Sequence, residues 1–141
     1  MNRAKAGLLI LLLIGGVGAV VRFPNLGTMD TRADEVELLQ FLQRGVSVSD
    51  YCAREISVFK EGRQMPLSRV ATAVFVRALR LPATLFTIRL PFAMMGLLCI
   101  LAFWLVGMAW GGRRMAVVLA WLAAINPYLI HWSKVAHNYS F

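Results

Sequence analysis

Apolar and polar positions in this chain fall into blocks rather than alternating. Residues 6–21 are apolar, 22–65 are hydrophilic, 66–81 are apolar apart from Arg69, Arg77 and Arg80, and two further apolar stretches cover 90–110 and 115–132. Phe92 to Trp110 and Met115 to Ile130 carry no charged residue, and each approaches the roughly 17–25 residues that a spanning helix requires. The pattern predicts an all-α, polytopic helical membrane protein with about four transmembrane segments and one amphipathic loop helix. The spans are expected at 6–21, 66–81, 90–110 and 115–132, with the acidic loop 22–65 on the non-cytoplasmic side.

The first block follows Arg3 and Lys5, which the positive-inside rule holds in the cytoplasm, so Ala6 to Val21 reads as a signal-anchor helix. A basic start, a Leu/Ile centre and the small residues around Val17-Gly18-Ala19 also satisfy the pattern of a cleaved signal peptide, which stays the alternative.

In the hydrophilic block, Thr31-Arg32-Ala33-Asp34 has capping-box spacing with Asp in place of Glu. Val36, Leu38, Leu39, Phe41 and Leu42 then predict an amphipathic helix ending near Gly45. Acids in a first turn are ordinarily explained by capping and the helix dipole, and that reading serves Asp34. Glu35 instead projects among Leu38, Leu39 and Leu42, where a carboxylate needs a cationic partner. The basic stripe that begins at Arg69 and continues through Arg77 and Arg80 offers a candidate in the same membrane region. That stripe has two readings: side chains reaching headgroups from a helix end, or a face turned toward phosphate.

Composition agrees with a membrane class: 59% of residues are hydrophobic and 16% charged, against about half and a quarter in soluble domains. The net charge of +8 resides beside apolar spans, because all seven acids lie between Asp30 and Glu61. Such a distribution favours membrane lipid over nucleic acid as partner. Cys52 and Cys99 have no metal-ligand spacing and are read as free thiols. His131, Lys134 and His137 recur every third position without a nearby acid, which fits an interfacial polar face better than a zinc set. No metal site is evident in the sequence, which leaves the cofactor undetermined and a divalent cation open.

The order of motifs carries a resemblance: Asp34-Glu35 in a loop helix after a first span, Gly62-Arg63-Gln64-Met65-Pro66-Leu67 before another, Arg89-Leu90-Pro91-Phe92-Ala93 opening a third. Gly112-Arg113-Arg114 and Asn126-Pro127 followed by Ser133-Lys134-Val135-Ala136-His137-Asn138-Tyr139 complete it. This order resembles the GT-C membrane glycosyltransferases, in particular the protein mannosyltransferase-like and aminoarabinose-transferase-like enzymes, over nearly the whole chain. The resemblance implies a partial GT-C fold and an inverting transfer of sugar from a polyprenyl-phosphate donor to a lipid, protein or glycan acceptor at a bacterial inner membrane. Asp34 would be the catalytic residue with Glu35 assisting, and Arg63, Arg69 and Arg89 would bind the donor phosphate. Met65 stands where many relatives have a second proline, and Lys134 and His137 where arginines are frequent, which weakens phosphate contact at the last motif.

GT-C enzymes have more spans than this sequence supplies, so the remaining part of such an enzyme is an expected partner. A small non-catalytic membrane assembly or lipid-binding protein is the alternative, and a transporter ranks lower because the clearest spans hold no ionisable residue. Four spans counted from a cytoplasmic amino terminus also create a conflict: Arg77, Arg80 and Arg89 fall inside as expected, but Arg113 and Arg114 fall outside.

Overall fold

The computed structural model describes residues 3–60 and 67–135, the side chains of Arg3, Ala4, Asp34, Val58, Phe59 and Lys60 excepted. Arg63, Met65, Pro66 and His137 lie outside the described residues. The described chain is all-helical: α1 (Arg3–Arg22), α2 (Ala33–Gln43), α3 (Val48–Lys60), α4 (Leu67–Ala78), α5 (Leu85–Ile125) and α6 (Pro127–Ser133). It divides into two compact units, one of Met1–Pro24 with Phe92–Lys134 and the other of Asn25–Pro91 with Val135–Phe141.

Two helices, α1 and α5, are long and apolar enough to cross a membrane. At 1.5 Å per residue the twenty residues of α1 reach about 30 Å, the thickness of a bilayer core. Of the segment expected to span at 66–81, the described residues form the 12-residue α4, about 18 Å long, and α4 is not among the described helices long and apolar enough to cross. The two last expected spans share α5, which is broken at Gly112 (φ 70°, ψ −162°). Only glycine adopts that backbone region without strain. In an unbroken helix, residues 107 and 116 would stand about 13.5 Å apart, yet a Cβ on Gly107 would lie 2.6 Å from the Ala116 nitrogen. The chain therefore reverses at Gly112, and α5 is a hairpin of two arms, 85–111 and 113–125.

In the first unit α1 packs against this hairpin. Ile14, Ile100, Trp104, Ala116, Ala120, Ala123 and Ala124 form the core. The alanines recur at four- and three-residue spacing along one face of the second arm, so the facing helices approach closely. Gly18 meets Ile100 and Leu97, and Gly7 meets Trp104, so rising numbers on α1 match falling numbers on the first arm: the two run antiparallel. Arg22, fully buried, donates from Nη1 to the carbonyls of Gly18 (3.1 Å) and Ala124 (2.9 Å) and from Nη2 to Ala123 (2.8 Å). It thereby caps the last carbonyls of the second arm, where a cation complements the helix dipole. Asn126 then starts α6, its side chain accepting from the nitrogens of Tyr128 and Leu129, with Pro127 in the first turn.

In the second unit, α2, α3, α4 and the start of α5 enclose Leu38, Phe41, Leu42, Tyr51, Ala73, Val76 and Ile88. The Phe41 and Tyr51 rings stack at 4.0 Å between centroids. Helix α3 lies within what reads as loop in the sequence; Ser47 starts it, accepting from the Asp50 nitrogen (3.1 Å) and donating to the Asp50 carboxylate (2.6 Å). Helix α4 ends in a Schellman turn: Leu81 N–H reaches the Val76 carbonyl, Arg80 N–H the Arg77 carbonyl, and Arg80 takes the left-handed position at φ 52°. Thr84 and Thr87 cap each other's backbone at the start of α5 (3.0 and 3.3 Å), placing Arg89 little more than one turn inside it.

Candidate functional site

The expected capping box is displaced by one residue. Arg32, not Thr31, occupies the cap position of α2, and Glu35, not Asp34, returns its carboxylate to the cap, Oε2 accepting from the Arg32 nitrogen at 3.2 Å. Asp34 stands beside Glu35 in the same first turn. The shift follows from Glu35 having the longer side chain at the third helical position, where a capping carboxylate must reach back.

Glu35 does acquire a cationic partner, but it is Arg89 rather than Arg69. Arg89 Nε donates to Glu35 Oε1 (2.8 Å) and Nη2 to Oε2 (2.5 Å), a bidentate pair with both side chains fully buried. The same guanidinium donates to the carbonyls of Leu26 (2.7 Å), Met29 (3.4 Å) and Asp30 (3.0 Å). A planar five-donor fork suits such a task, and a lysine could not perform it. Arg89 thus ties residues 26–30 and the first turn of α2 to the first turns of α5. A phosphate approaching this guanidinium would have to displace Glu35 or a backbone carbonyl.

Arg69 belongs to a separate cluster in the same unit. Its Nη2 pairs with Glu37 Oε2 at 2.8 Å and its Nη1 lies 3.9 Å from Glu55 Oε1. Glu37 also pairs with the exposed Arg54 at 3.0 Å, and the Arg69 guanidinium lies 6.0 Å from the Tyr51 ring centre. Tyr51 is buried among these charges. Burial pushes its hydroxyl above the ordinary value, Arg69 pulls it down, and Glu55 and Glu37 push it up again; the net shift is strongly upward. A shallow cavity of about 200 Å³ opens beside the cluster, lined in part by Glu37, Gln40, Arg44, Asp50, Tyr51 and Arg54.

The expected arginine stripe does not survive as a stripe. Arg69 is buried in its ion pairs, Arg77 donates to the Leu42 and Val46 carbonyls (3.1 and 3.2 Å) and so caps the end of α2, and Arg80 lies in the turn beyond α4. The structure therefore pairs Glu35 with Arg89 at the start of α2, in the turn that also carries Asp34 in sequence, places Arg69 with Glu37, Glu55 and Tyr51, and leaves Arg63 and the Asp34 side chain outside what is described. Glu37, Tyr51 and Glu55 were not singled out by sequence; Ser47-Val48-Ser49-Asp50 is the signal for the helix that carries two of them. Among the described residues, no three His, Cys, Asp or Glu side chains are grouped to hold a metal ion, and Cys52 and Cys99 are free. No protein-family model, curated protein or solved structure matches this chain.

Proposed function

We propose that this chain is a membrane-embedded glycosyltransferase segment of GT-C type, using a polyprenyl-phosphate sugar at the non-cytoplasmic face of a bacterial inner membrane. The observation that carries the reading is the buried Glu35–Arg89 pair, which holds the first turn of α2, and Asp34 within it, against the start of α5. A buried ion pair of this kind is a weak source of net stability, so its worth here lies in fixing geometry. Asp34 acts as the base: its carboxylate takes the proton of an acceptor hydroxyl or amine, and the acceptor atom attacks the anomeric carbon. The bond from that carbon to the phosphate oxygen breaks, polyprenyl phosphate leaves with the electron pair, and the configuration inverts. Arg63, Arg69 and Arg89 form the proposed cationic surround for the departing phosphate. Of these Arg89 contributes field rather than contact, since Glu35 and backbone carbonyls occupy its donors.

The second reading, a non-catalytic membrane assembly or lipid-binding protein, draws on the engagement of Arg69 and Arg89 by carboxylates within the chain. Substituting Asp34→Asn separates the two. Asparagine caps a helix as well as aspartate does, whereas loss of a general base lowers the rate by about 10²–10⁴-fold. Transfer of radiolabelled sugar from polyprenyl-phosphate donors, measured in membranes with the remaining enzyme part present, is expected to fall by that factor. Transfer unchanged in Asp34→Asn assigns the chain to the non-catalytic reading.

A further inference from the structure

The first unit contains no acidic residue, and its cations fall at two ends, with Lys134 following Ser133 near Arg22. Lys5 stands at the exposed start of α1 and Arg113 and Arg114 follow the Gly112 reversal, while Arg22 is buried at the opposite end against Ala123 and Ala124. Because α1 and the first arm of α5 are antiparallel, the start of α1 and the hairpin tip share one end. Beside the tip, Trp110 is 83% exposed, a placement typical of rings that sit at the headgroup level.

We propose that this basic end, made by Lys5, Arg113, Arg114 and Trp110, docks on the anionic phospholipid headgroups of the cytoplasmic leaflet. The inference deepens the membrane reading above and rests on it. Its consequence is a different crossing pattern from the one the apolar blocks predict. Helix α1 leads out and ends at Arg22; Gly96 of the first arm of α5 lies close to Arg22 Nε, so the arm runs from that end toward the tip. That arm leads inward to Arg113 and Arg114, and the second arm runs about 20 Å back toward the non-cytoplasmic side, as far as Ala124. Residues 25–91 therefore start and finish on the non-cytoplasmic side without a crossing at 66–81, and the conflict with the positive-inside rule disappears. The negative surface potential of the cytoplasmic leaflet attracts clustered basic residues of this kind, and the first unit holds no Asp or Glu to offset their charge.

The test uses the full chain with Cys52→Ser and Cys99→Ser, and single cysteines introduced as Lys5→Cys, Ser49→Cys, Arg114→Cys or, as a second tip site, Met115→Cys. A membrane-impermeant maleimide is applied to intact spheroplasts and to inside-out vesicles. Positions 5, 114 and 115 are expected to label only in inside-out vesicles, and position 49 only in spheroplasts. Tip and position 5 labelling from opposite faces, with the protein still resistant to alkaline extraction, overturns the inference and spares the membrane reading; release by alkaline extraction removes both. For the lipid, the purified protein is expected to retain phosphatidylglycerol over phosphatidylcholine in native mass spectra. Arg113→Gln with Arg114→Gln should lower that preference several-fold, and equal retention by wild type and variant overturns the headgroup assignment.

Discussion

At the residue scale, the second unit turns on where the buried carboxylate of Glu35 finds its cation. The need of Glu35 for a partner is legible in the sequence, because an acid among Leu38, Leu39 and Leu42 has no other way to be buried. The identity of that partner is not, because Arg89 is 54 positions away and lies in register only after Thr84 and Thr87 start α5. Removing one member of a buried pair strands the other, so Glu35→Gln and Arg89→Met are each expected to cost about 3–5 kcal/mol in chemical unfolding. The two losses should be strongly non-additive in the double variant, since the residues touch. Tyr51 offers a second check. Its hydroxyl is raised in the folded protein above its ordinary 10.0, chiefly by burial, so the unfolded chain loses that proton first. Stability from this group is fully present below about pH 10 and is lost as pH rises beyond it. Tyr51→Phe should flatten that alkaline decline in a pH series of urea melts, with little change at pH 7.

At the element scale, periodicity locates helices well and their lengths less well. The loop helix predicted after Thr31 is present with its end near Gly45, whose φ of 73° is the left-handed conformation that terminates helices. Helix α3 is obscured because Asp50, Arg54 and Glu55 make its stretch look like solvated loop; its start is written in Ser47 and Asp50. The 66–81 block is apolar enough to resemble a span, yet α4 stops at Ala78 and needs a left-handed residue two positions later. Arg80 fills a position that glycine fills at lower strain, so Arg80→Gly is expected to stabilise the second unit by about 0.5–1 kcal/mol. The turn of α5 makes the converse demand. Gly107 has no room for a side chain against the Ala116 backbone, so Gly107→Leu should prise the arms apart and lower the thermal midpoint of the detergent-solubilised protein, while Gly15→Leu, with open space around it, should not.

At the scale of the whole molecule, the sequence reveals an apolar chain with an acidic middle, but the order of crossings depends on a reversal that composition cannot display. Gly111-Gly112 before Arg113-Arg114 reads equally as a linker between spans or as a kink; the approach of Gly107 to Ala116 decides it. The same packing bears on the alternative that Ala6 to Val21 is a cleaved signal. A signal peptide makes no lasting contacts with the mature chain, whereas α1 supplies Ile14 to the core and Gly18 to a close approach with Ile100. Arg22 fastens it further through the Ala123 and Ala124 carbonyls, charge-assisted bonds worth about 1.5–3 kcal/mol each where no water competes. Cleavage near Val21 would remove the helix against which the alanine face of the second arm packs. The protein recovered from membranes is therefore expected to retain its first 21 residues, as read by intact mass and amino-terminal sequencing. Arg22→Ala should keep that amino terminus but lower the thermal midpoint, because two helix-end carbonyls lose their donor; a mature chain beginning after Val21 would separate α1 from the fold altogether.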